Sequence, residues 1–159
     1  MAESFHLEVV TPQGAVLDED VMEVTAPGID GEFGVLPRHA RYMTALGAGE
    51  LRYVTAKGQD GLLAVAGGFA EVGPEGVSVL AQTAEEAEQI DIVRAEAAVQ
   101  RAEARLAAPD EETDSGRAGL ALQRSLARLR VTKARGMKPT RSTIKTIEMP
   151  IPGERPADD

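Results

Sequence analysis

The sequence predicts an all-β N-terminal domain, a sandwich or a barrel, followed by a C-terminal antiparallel hairpin of two helices. Short strand-like runs recur up to residue 82, and turn sequences such as PGIDG and KGQDG separate them. Most of the glycines lie before residue 77, as frequent tight turns require. From residue 84 to residue 108 there is neither Gly nor Pro, and apolar side chains repeat every three or four residues.

The strands of the β domain are indicated by runs in which apolar and polar residues alternate. Val21–Val24 and Phe69–Val72 alternate with period two, which is typical of strands with one buried face. Short strands with turns between them favour a sandwich or a barrel over a parallel α/β sheet. The predicted strand sequences are FHLEVV, VMEVTA, ELRYV, LLAVAG, FAEV and VSVLA.

The first helix has two candidate starts. Thr83–Glu86 (TAEE) has the pattern of a capping box, and Asp91 is a second plausible N-cap. The acidic, proline-containing segment 108–116 separates this helix from a second one, which ends near Gly136. The seam residues are Ile92, Ala95, Val99, Ala102 and Leu106 in the first helix and Leu122, Leu126 and Leu129 in the second. The predicted parts are a β domain over 1–84, a helical hairpin over 85–136 and an extended or disordered tail over 137–159.

The composition excludes several classes of function. The 159 residues contain no Cys, so disulfides, thiolate metal sites and a Cys nucleophile are excluded. The net charge of −9 argues against nucleic-acid binding, and the longest apolar run, 61–70, is too short to span a bilayer. The charge is uneven, because residues 1–90 hold 15 acids and 4 bases whereas residues 91–135 hold 7 acids and 9 bases.

No motif for catalysis or phosphate binding of the Walker, GxGxxG or GxSxG type is present in the sequence. The two histidines are His6, which we interpret as a strand-face position, and His39, which lies in the glycine-rich stretch GIDGEFGVLPRHARY. Without a second nearby His or a Cys, a zinc site is disfavoured, and no nucleophile accompanies His39 in a recognisable triad pattern. We therefore expect no catalytic residue and no metal site.

Two basic features have a structural and a functional interpretation. Arg94 follows the Asp91 N-cap, in the first turn of the helix, where a cation is unfavourable because it opposes the helix dipole. Its side chain either pairs with Asp91 or binds an anionic ligand at the helix start. The second helix has a basic face, which is either simply solvated or binds an acidic protein or an anionic ligand. The bases of this helix are Arg117, Arg124, Arg128, Arg130, Lys133 and Arg135, with no acid between residues 115 and 135.

The segments DGEFGVLPRHA, AVAGGFAEV and VSVLAQTAEEAEQIDIVRA resemble the epsilon subunit of bacterial and chloroplast ATP synthases, from about Phe5 to Val131. The resemblance implies a β-sandwich of about ten strands and a two-helix C-terminal domain. It also implies a non-catalytic subunit of the central rotor whose sandwich binds the gamma subunit and the ring of c subunits. The missing transit peptide favours a bacterial protein, peripheral on the cytoplasmic side of the inner membrane.

The resemblance assigns the segment DGEFGVLPRHA, residues 30–40, to the contact with the c ring and gamma. Family members often read LPGHAPLL where this chain reads LPRHARYM, so that two arginines replace a Gly and a Pro. The implied interface residues are Asp30, Glu32, Arg38, His39 and Arg41.

The resemblance gives the hairpin a regulatory role. Extended along gamma into the alpha/beta hexamer, it inhibits ATP hydrolysis, and its implied contacts with acidic segments of beta are Arg124, Arg128, Arg130 and Lys133. Some bacterial members also bind ATP through an I/L-D-x-x-R-A motif, which IDIVRA matches. No cofactor is required, and ATP is expected as a regulatory ligand. The implied ATP residues are Glu85, Ile90, Asp91, Arg94, Ala95, Arg124 and Arg128.

An alternative from another class is a free-standing nucleotide-binding or sensing module that uses only the IDIVRA hairpin. The two hypotheses differ in their partners. The rotor subunit copurifies with gamma and the c ring, whereas the sensing module is active alone.

Overall fold

The computed structural model describes residues 3–110 and 112–134, so the predicted tail and residues 135–136 of the predicted hairpin lie outside the described residues. Seven strands come first and two α-helices follow. The strands are β1 (Phe5–Thr11), β2 (Gly14–Gly28), β3 (Gly31–Val35), β4 (Tyr42–Ala45), β5 (Ala48–Thr55), β6 (Asp60–Gly73) and β7 (Gly76–Glu86). The helices are α1 (Ile92–Ala107) and α2 (Ser115–Ala134).

The strands form a β-sandwich with the order β1-β7-β6-β5-β2-β3, in which β4 pairs with β6 and β1 also pairs with β2. The β1–β7 pair is parallel and the other pairs are antiparallel. The predicted class is confirmed, but seven strands are described rather than about ten. The three longest strands, β2, β6 and β7, change partners along their length, so each contributes to both layers as two short strands would.

Two glycines allow β6 to pass from one layer to the other. The pairing with β7 keeps one register across this point, since Ala66 lies opposite Thr83 and Gly68 lies opposite Ala81. Gly67 and Gly68 have φ angles of 66° and 91°, which side chains rarely adopt. A Cβ on Gly68 would also collide with the carbonyl oxygen of Leu80. This point of β6 therefore requires glycine, and it is where the partner on the other side of β6 changes from β5 to β4.

The core lies between the two layers and consists of small and medium aliphatic side chains. Because neighbouring residues of a strand point to opposite faces, the alternating sequences bury every second residue. The largest fully buried side chains of the sandwich are Leu7, Val9, Val21, Val24, Leu51, Leu63, Val65 and Val79.

The prediction that Thr83–Glu86 is a capping box is wrong. These residues continue β7, which pairs with β6 up to Glu86 opposite Leu63. A single turn of 3-10 helix, Ala87–Gln89, follows. Helix α1 begins at the second predicted start, where the Asp91 carboxylate accepts a hydrogen bond from the Arg94 backbone N–H at 3.0 Å.

The two helices pack against each other through small side chains. The predicted seam of α1 is buried at its two alanines, whereas Ile92 and Leu106 are exposed. In α2 the predicted leucine stripe is not the buried face, since Leu126 is exposed. The small side chains bring the helices together closely, as in other Ala-rich helix pairs. The buried residues of the hairpin are Ala95, Ala102, Ala118, Ser125, Ala127 and Val131.

Candidate functional site

Helix α2 joins the hairpin to the sandwich. It lies against β5 and β6 and against the 3-10 turn, and Val131 is its one fully buried large side chain. Val131 forms a small cluster with Ala64 and Ala87, and Leu62 and Ile90 pack against it. This cluster is separate from the core of the sandwich. The apolar contact between the hairpin and the sandwich is therefore small and does not share side chains with the sandwich core.

One ion pair connects the same two parts. The Arg128 guanidinium donates two hydrogen bonds to the Glu85 carboxylate, from Nε at 2.6 Å and from Nη2 at 3.3 Å. The two side chains are about one-third exposed, at 29% and 36%. Glu85 comes from the last residues of β7 and Arg128 from the middle of α2. The pair therefore holds the docked hairpin with two charge-assisted hydrogen bonds, weakened by solvent.

The residues implied in ATP binding lie along this junction. Glu85 and Arg128 are already paired, and Ile90 packs on the Val131 cluster. Asp91 caps α1 with its carboxylate, so its partner is the backbone of Arg94 and not the Arg94 side chain. Ala95 is buried, at 3% exposure.

Two guanidiniums near the junction have no carboxylate partner. Within residues 3–110 and 112–134, neither Arg94 nor Arg124 makes an ion pair. Arg94 stands in the first turn of α1, and Arg124 stands one turn before Arg128 on α2.

The outer part of the basic helix faces solvent. Arg130 and Lys133 are exposed, and the Arg130 Nε donates a hydrogen bond of 3.4 Å to the Leu126 carbonyl oxygen of the preceding turn. In the docked hairpin these two cations remain accessible, whereas Arg128 is engaged with the sandwich.

An apolar surface on the outside of the sandwich was not anticipated from the sequence. Met43, Phe69 and Leu80 are 65%, 55% and 58% exposed. Phe69 lies opposite Ala45 of β4 and Leu80 of β7, and residues that face each other across strands point to the same side. Met43 is two residues from Ala45 and shares that side. We call these three residues the apolar face. The sequence did contain a sign of this surface. Phe69 lies two residues from the charged Glu71 and so points to the same side of β6, while Ala70 between them points to the core.

The predicted interface loop is spread over several elements. Asp30 is exposed in the turn between β2 and β3, and Glu32 in β3 accepts hydrogen bonds of 3.0 and 3.1 Å from Arg52 Nη2. Arg38 and His39 follow β3 in a tight turn, and Arg41 directly precedes β4. Glu32 is thus engaged with β5 and not with the basic residues of the loop.

His39 is fixed by local contacts. Its Nδ1 donates a hydrogen bond of 2.6 Å to the Ala40 carbonyl oxygen. Its ring lies 6.4 Å from the Tyr42 ring, which makes an edge contact with Phe33 at 5.4 Å. None of these partners is an acid, and the arrangement suits an ordered surface loop better than proton transfer.

His6 lies between two carboxylates at the sheet surface. Its Nε2 is 2.9 Å from Asp18 Oδ1 and its Nδ1 is 3.2 Å from Asp20 Oδ1. The hydrogen bond with Asp20, aided by the nearby negative charges, raises the pKa of His6 above its ordinary value. In the part of the chain that the structure describes, no group of three or more His, Cys, Asp or Glu side chains is arranged to hold a metal ion.

The described surfaces are thus an apolar face on the sandwich and a two-helix hairpin held against the sandwich by a small cluster and one ion pair. Residues 4–87 match the family described as ATP synthase, Delta/Epsilon chain, beta-sandwich domain. Residues 88–133 match ATP synthase, Delta/Epsilon chain, long alpha-helix domain. The chain belongs to the delta/epsilon family of ATP synthase subunits.

Curated relatives agree with this assignment. The chain is 54% identical to the ATP synthase epsilon chain of Nitratidesulfovibrio vulgaris over 131 residues, which are 82% of this chain and 97% of the relative. It is 48% identical to that of Syntrophomonas wolfei over 134 residues, which are 84% and 98% of the two chains.

Solved structures show the same fold. A chain in the cryo-EM structure of the Euglena gracilis mitochondrial ATP synthase, OSCP/F1/c-ring, is similar with a TM-score of 0.70 and 26% identity, covering 83% of this chain and 81% of that one. A chain from the central stalk and c-ring of the Tetrahymena thermophila enzyme shares the fold, with a TM-score of 0.54 and 13% identity. No helix in the described part of the present chain has the length and apolar content needed to cross a membrane.

Proposed function

We propose that this chain is the non-catalytic epsilon subunit of a bacterial proton-translocating ATP synthase and joins gamma to the c ring in the central stalk. The observation that carries the proposal is the apolar face, because contiguous exposed apolar side chains mark surfaces that bind other proteins. In this proposal the apolar face binds gamma, and the loop before β4 meets the ring. The subunit is peripheral on the cytoplasmic side of the inner membrane.

The experiment is reconstitution with gamma and the c ring purified from the same organism. Wild-type chain is expected to comigrate with them in size-exclusion chromatography. Phe69→Asp is expected to abolish comigration, because it buries a carboxylate without a partner. Leu120→Asp is the matched control, since Leu120 is equally exposed but lies on α2. If Phe69→Asp comigrated as well as wild type, the apolar face would not be the surface that binds gamma.

The hairpin is the regulatory part of this proposal. Released from the sandwich, it extends along gamma into the alpha/beta hexamer and suppresses ATP hydrolysis. Its basic face supports this role, since α2 has no acid to neutralise its cations. Neutralising Arg124, Arg128 and Arg130 together is expected to relieve the inhibition, and high salt is expected to do the same in the wild type. Unchanged suppression in the triple variant would refute the electrostatic contact.

ATP is the proposed ligand that holds the hairpin docked. The guanidiniums of Arg94 and Arg124, one on each helix of the hairpin and without an ion pair among the described residues, support it, because a polyphosphate that binds both helices together with the sandwich adds contacts only in the docked state. Calorimetric titration is expected to show one ATP per chain for the wild type and no binding for Arg94→Ala and Arg124→Ala. Arg105→Ala, at the far end of α1, is the control. Absence of binding at millimolar ATP would make IDIVRA a structural helix start only.

The same titration bears on the alternative, a free-standing nucleotide sensor. The sensor requires ATP binding without copurification of gamma, whereas the rotor subunit requires the copurification whether or not ATP binds. Family membership favours the rotor subunit.

A further inference from the structure

The turn that follows β3 contains an arginine in a glycine conformation. The His39 backbone N–H donates a hydrogen bond of 3.2 Å to the Leu36 carbonyl oxygen, which closes a four-residue turn with Pro37 at its second position. Arg38, at the third position, has a φ of 63°, and no other described residue besides glycines has a positive φ. Positive φ at this position defines a type II turn, where glycine is the residue without strain. The chain thus keeps the turn while carrying a side chain that strains it.

The side chain that is kept at this strained position is presented to solvent. Arg38 is 82% exposed, and its partner is the exposed carboxylate of Glu3, at 3.0 Å from Nε. Arg41, three residues on, is exposed and has no ion pair within the described residues. An exposed pair such as Arg38–Glu3 contributes little to stability. The fold therefore does not explain why these two arginines are present.

The two arginines lie three residues apart in the sequence of an acidic domain. Residues 1–90 contain 4 bases against 15 acids, and two of those bases lie in the segment between β3 and β4. The third, Arg52, is already paired with Glu32 and Glu50. Large apolar side chains flank the two arginines in the sequence, with Leu36 at 59% and Tyr42 at 42% exposure. Arginine beside exposed aromatic and aliphatic side chains is the composition of protein interfaces.

We propose that Arg38 and Arg41, here called the arginine turn, bind carboxylates on the rotor partner, on a surface where apolar side chains flank the acids. This inference rests on the proposed function, since it takes the partner to be the c ring with gamma. A discrete protein carboxylate is favoured over an anionic membrane. Residues 1–90 have a net charge of −11, so an extended negative surface such as an anionic membrane would repel the domain. Two guanidiniums can nevertheless pair with single carboxylates at short range.

The test uses full-length chain and the purified complex of gamma and the c ring from the same organism. The variants are Arg38→Gly, which keeps the turn, Arg41→Gln, and both together. Lys57→Gln, which removes an equal charge from an exposed turn of the same domain, is the matched control. Affinity is measured at about 50 and 300 mM salt. The double variant is expected to bind about tenfold more weakly at low salt and to lose most of the salt dependence, while Lys57→Gln behaves as wild type.

The outcomes separate this inference from the function on which it rests. If wild-type chain does not bind the complex at all, the proposed function fails and this inference fails with it. If wild type binds and the double variant binds equally well with the same salt dependence, the proposed rotor function stands, but the proposal that the arginine turn binds carboxylates is wrong. Arginine-dependent binding to vesicles of anionic phospholipid, without any protein partner, would also overturn the inference in favour of a lipid contact.

Discussion

Replacing Val131 by Ala tests whether one buried side chain holds the hairpin on the sandwich. Val131 is fully buried between Ala64 and Ala87. Removal of two carbons forfeits about 1.6 kcal/mol of transfer free energy, and the remaining cavity adds to this cost. The net loss of about 1.5–2 kcal/mol corresponds to a 10- to 30-fold shift toward the released hairpin.

The released hairpin can be counted by distance measurements between two spin labels. The chain contains no Cys, so labels at Lys57→Cys on the sandwich and Glu103→Cys on α1 are unique. Both positions are exposed. We expect the ratio of long to short distances to rise at least tenfold in Val131→Ala, because the cost of cavity formation applies only to the docked state.

The control for this experiment is Val93→Ala, which deletes the same atoms at a site that is 76% exposed. It is expected to leave the distances unchanged. The sandwich is expected to stay folded in both variants, since its core cluster does not include Val131. If Val131→Ala left the distances unchanged, or if it melted the sandwich together with the hairpin, the weak and separable junction described above would be refuted.

Three further predictions concern the sandwich and are checked by urea unfolding. Gly68→Ala is expected to cost more than about 2 kcal/mol, because its Cβ meets a backbone oxygen at a positive φ, whereas Gly73→Ala, with no atom within 4 Å of its Cβ, is the mild control; equal costs would refute the requirement for glycine at position 68. The interactions that raise the pKa of His6 stabilise the fold fully at pH values below its ordinary pKa near 6.5, and this stabilisation is lost as the pH rises through the pKa of the folded state. Wild type should therefore be more stable than His6→Gln at pH 5.5 but not at pH 8.5, and a constant difference would contradict this. Arg38→Gly is expected to be about 1 kcal/mol more stable than the matched Arg41→Gly, since only Arg38 has a positive φ; the reverse order would refute the strain.

Local pattern was enough to predict the two-part architecture. Alternation in segments such as Val21–Val24 identifies strands, and the absence of Gly and Pro after residue 84 identifies a helix. The boundary between them was not predictable in the same way. Thr83–Glu86 satisfies both a capping box and a strand, and its pairing with β6 decides for the strand. A contact distant in sequence outweighs the local signal.

The contacts between the hairpin and the sandwich were predictable only where they are local in sequence. IDIVRA correctly places the cap at Asp91, because capping is a local interaction. The partner of Arg128 is 43 residues away, and no periodicity indicates that Glu85 meets it. The left-handed backbone conformation of Arg38 was equally unpredictable from the sequence, since positive φ is expected at glycine and not at arginine.

Cross-linking from the apolar face tests the rotor assignment most directly. Phe69→Cys provides a unique thiol in a chain without other Cys, and a short bifunctional reagent is applied to the enzyme reconstituted with this variant. We predict one major product, between this chain and gamma, with ATP hydrolysis retained because both subunits turn together. A product with alpha or beta alone, or no product in an enzyme that contains the chain, would contradict the assignment of this surface and of the chain to the central stalk.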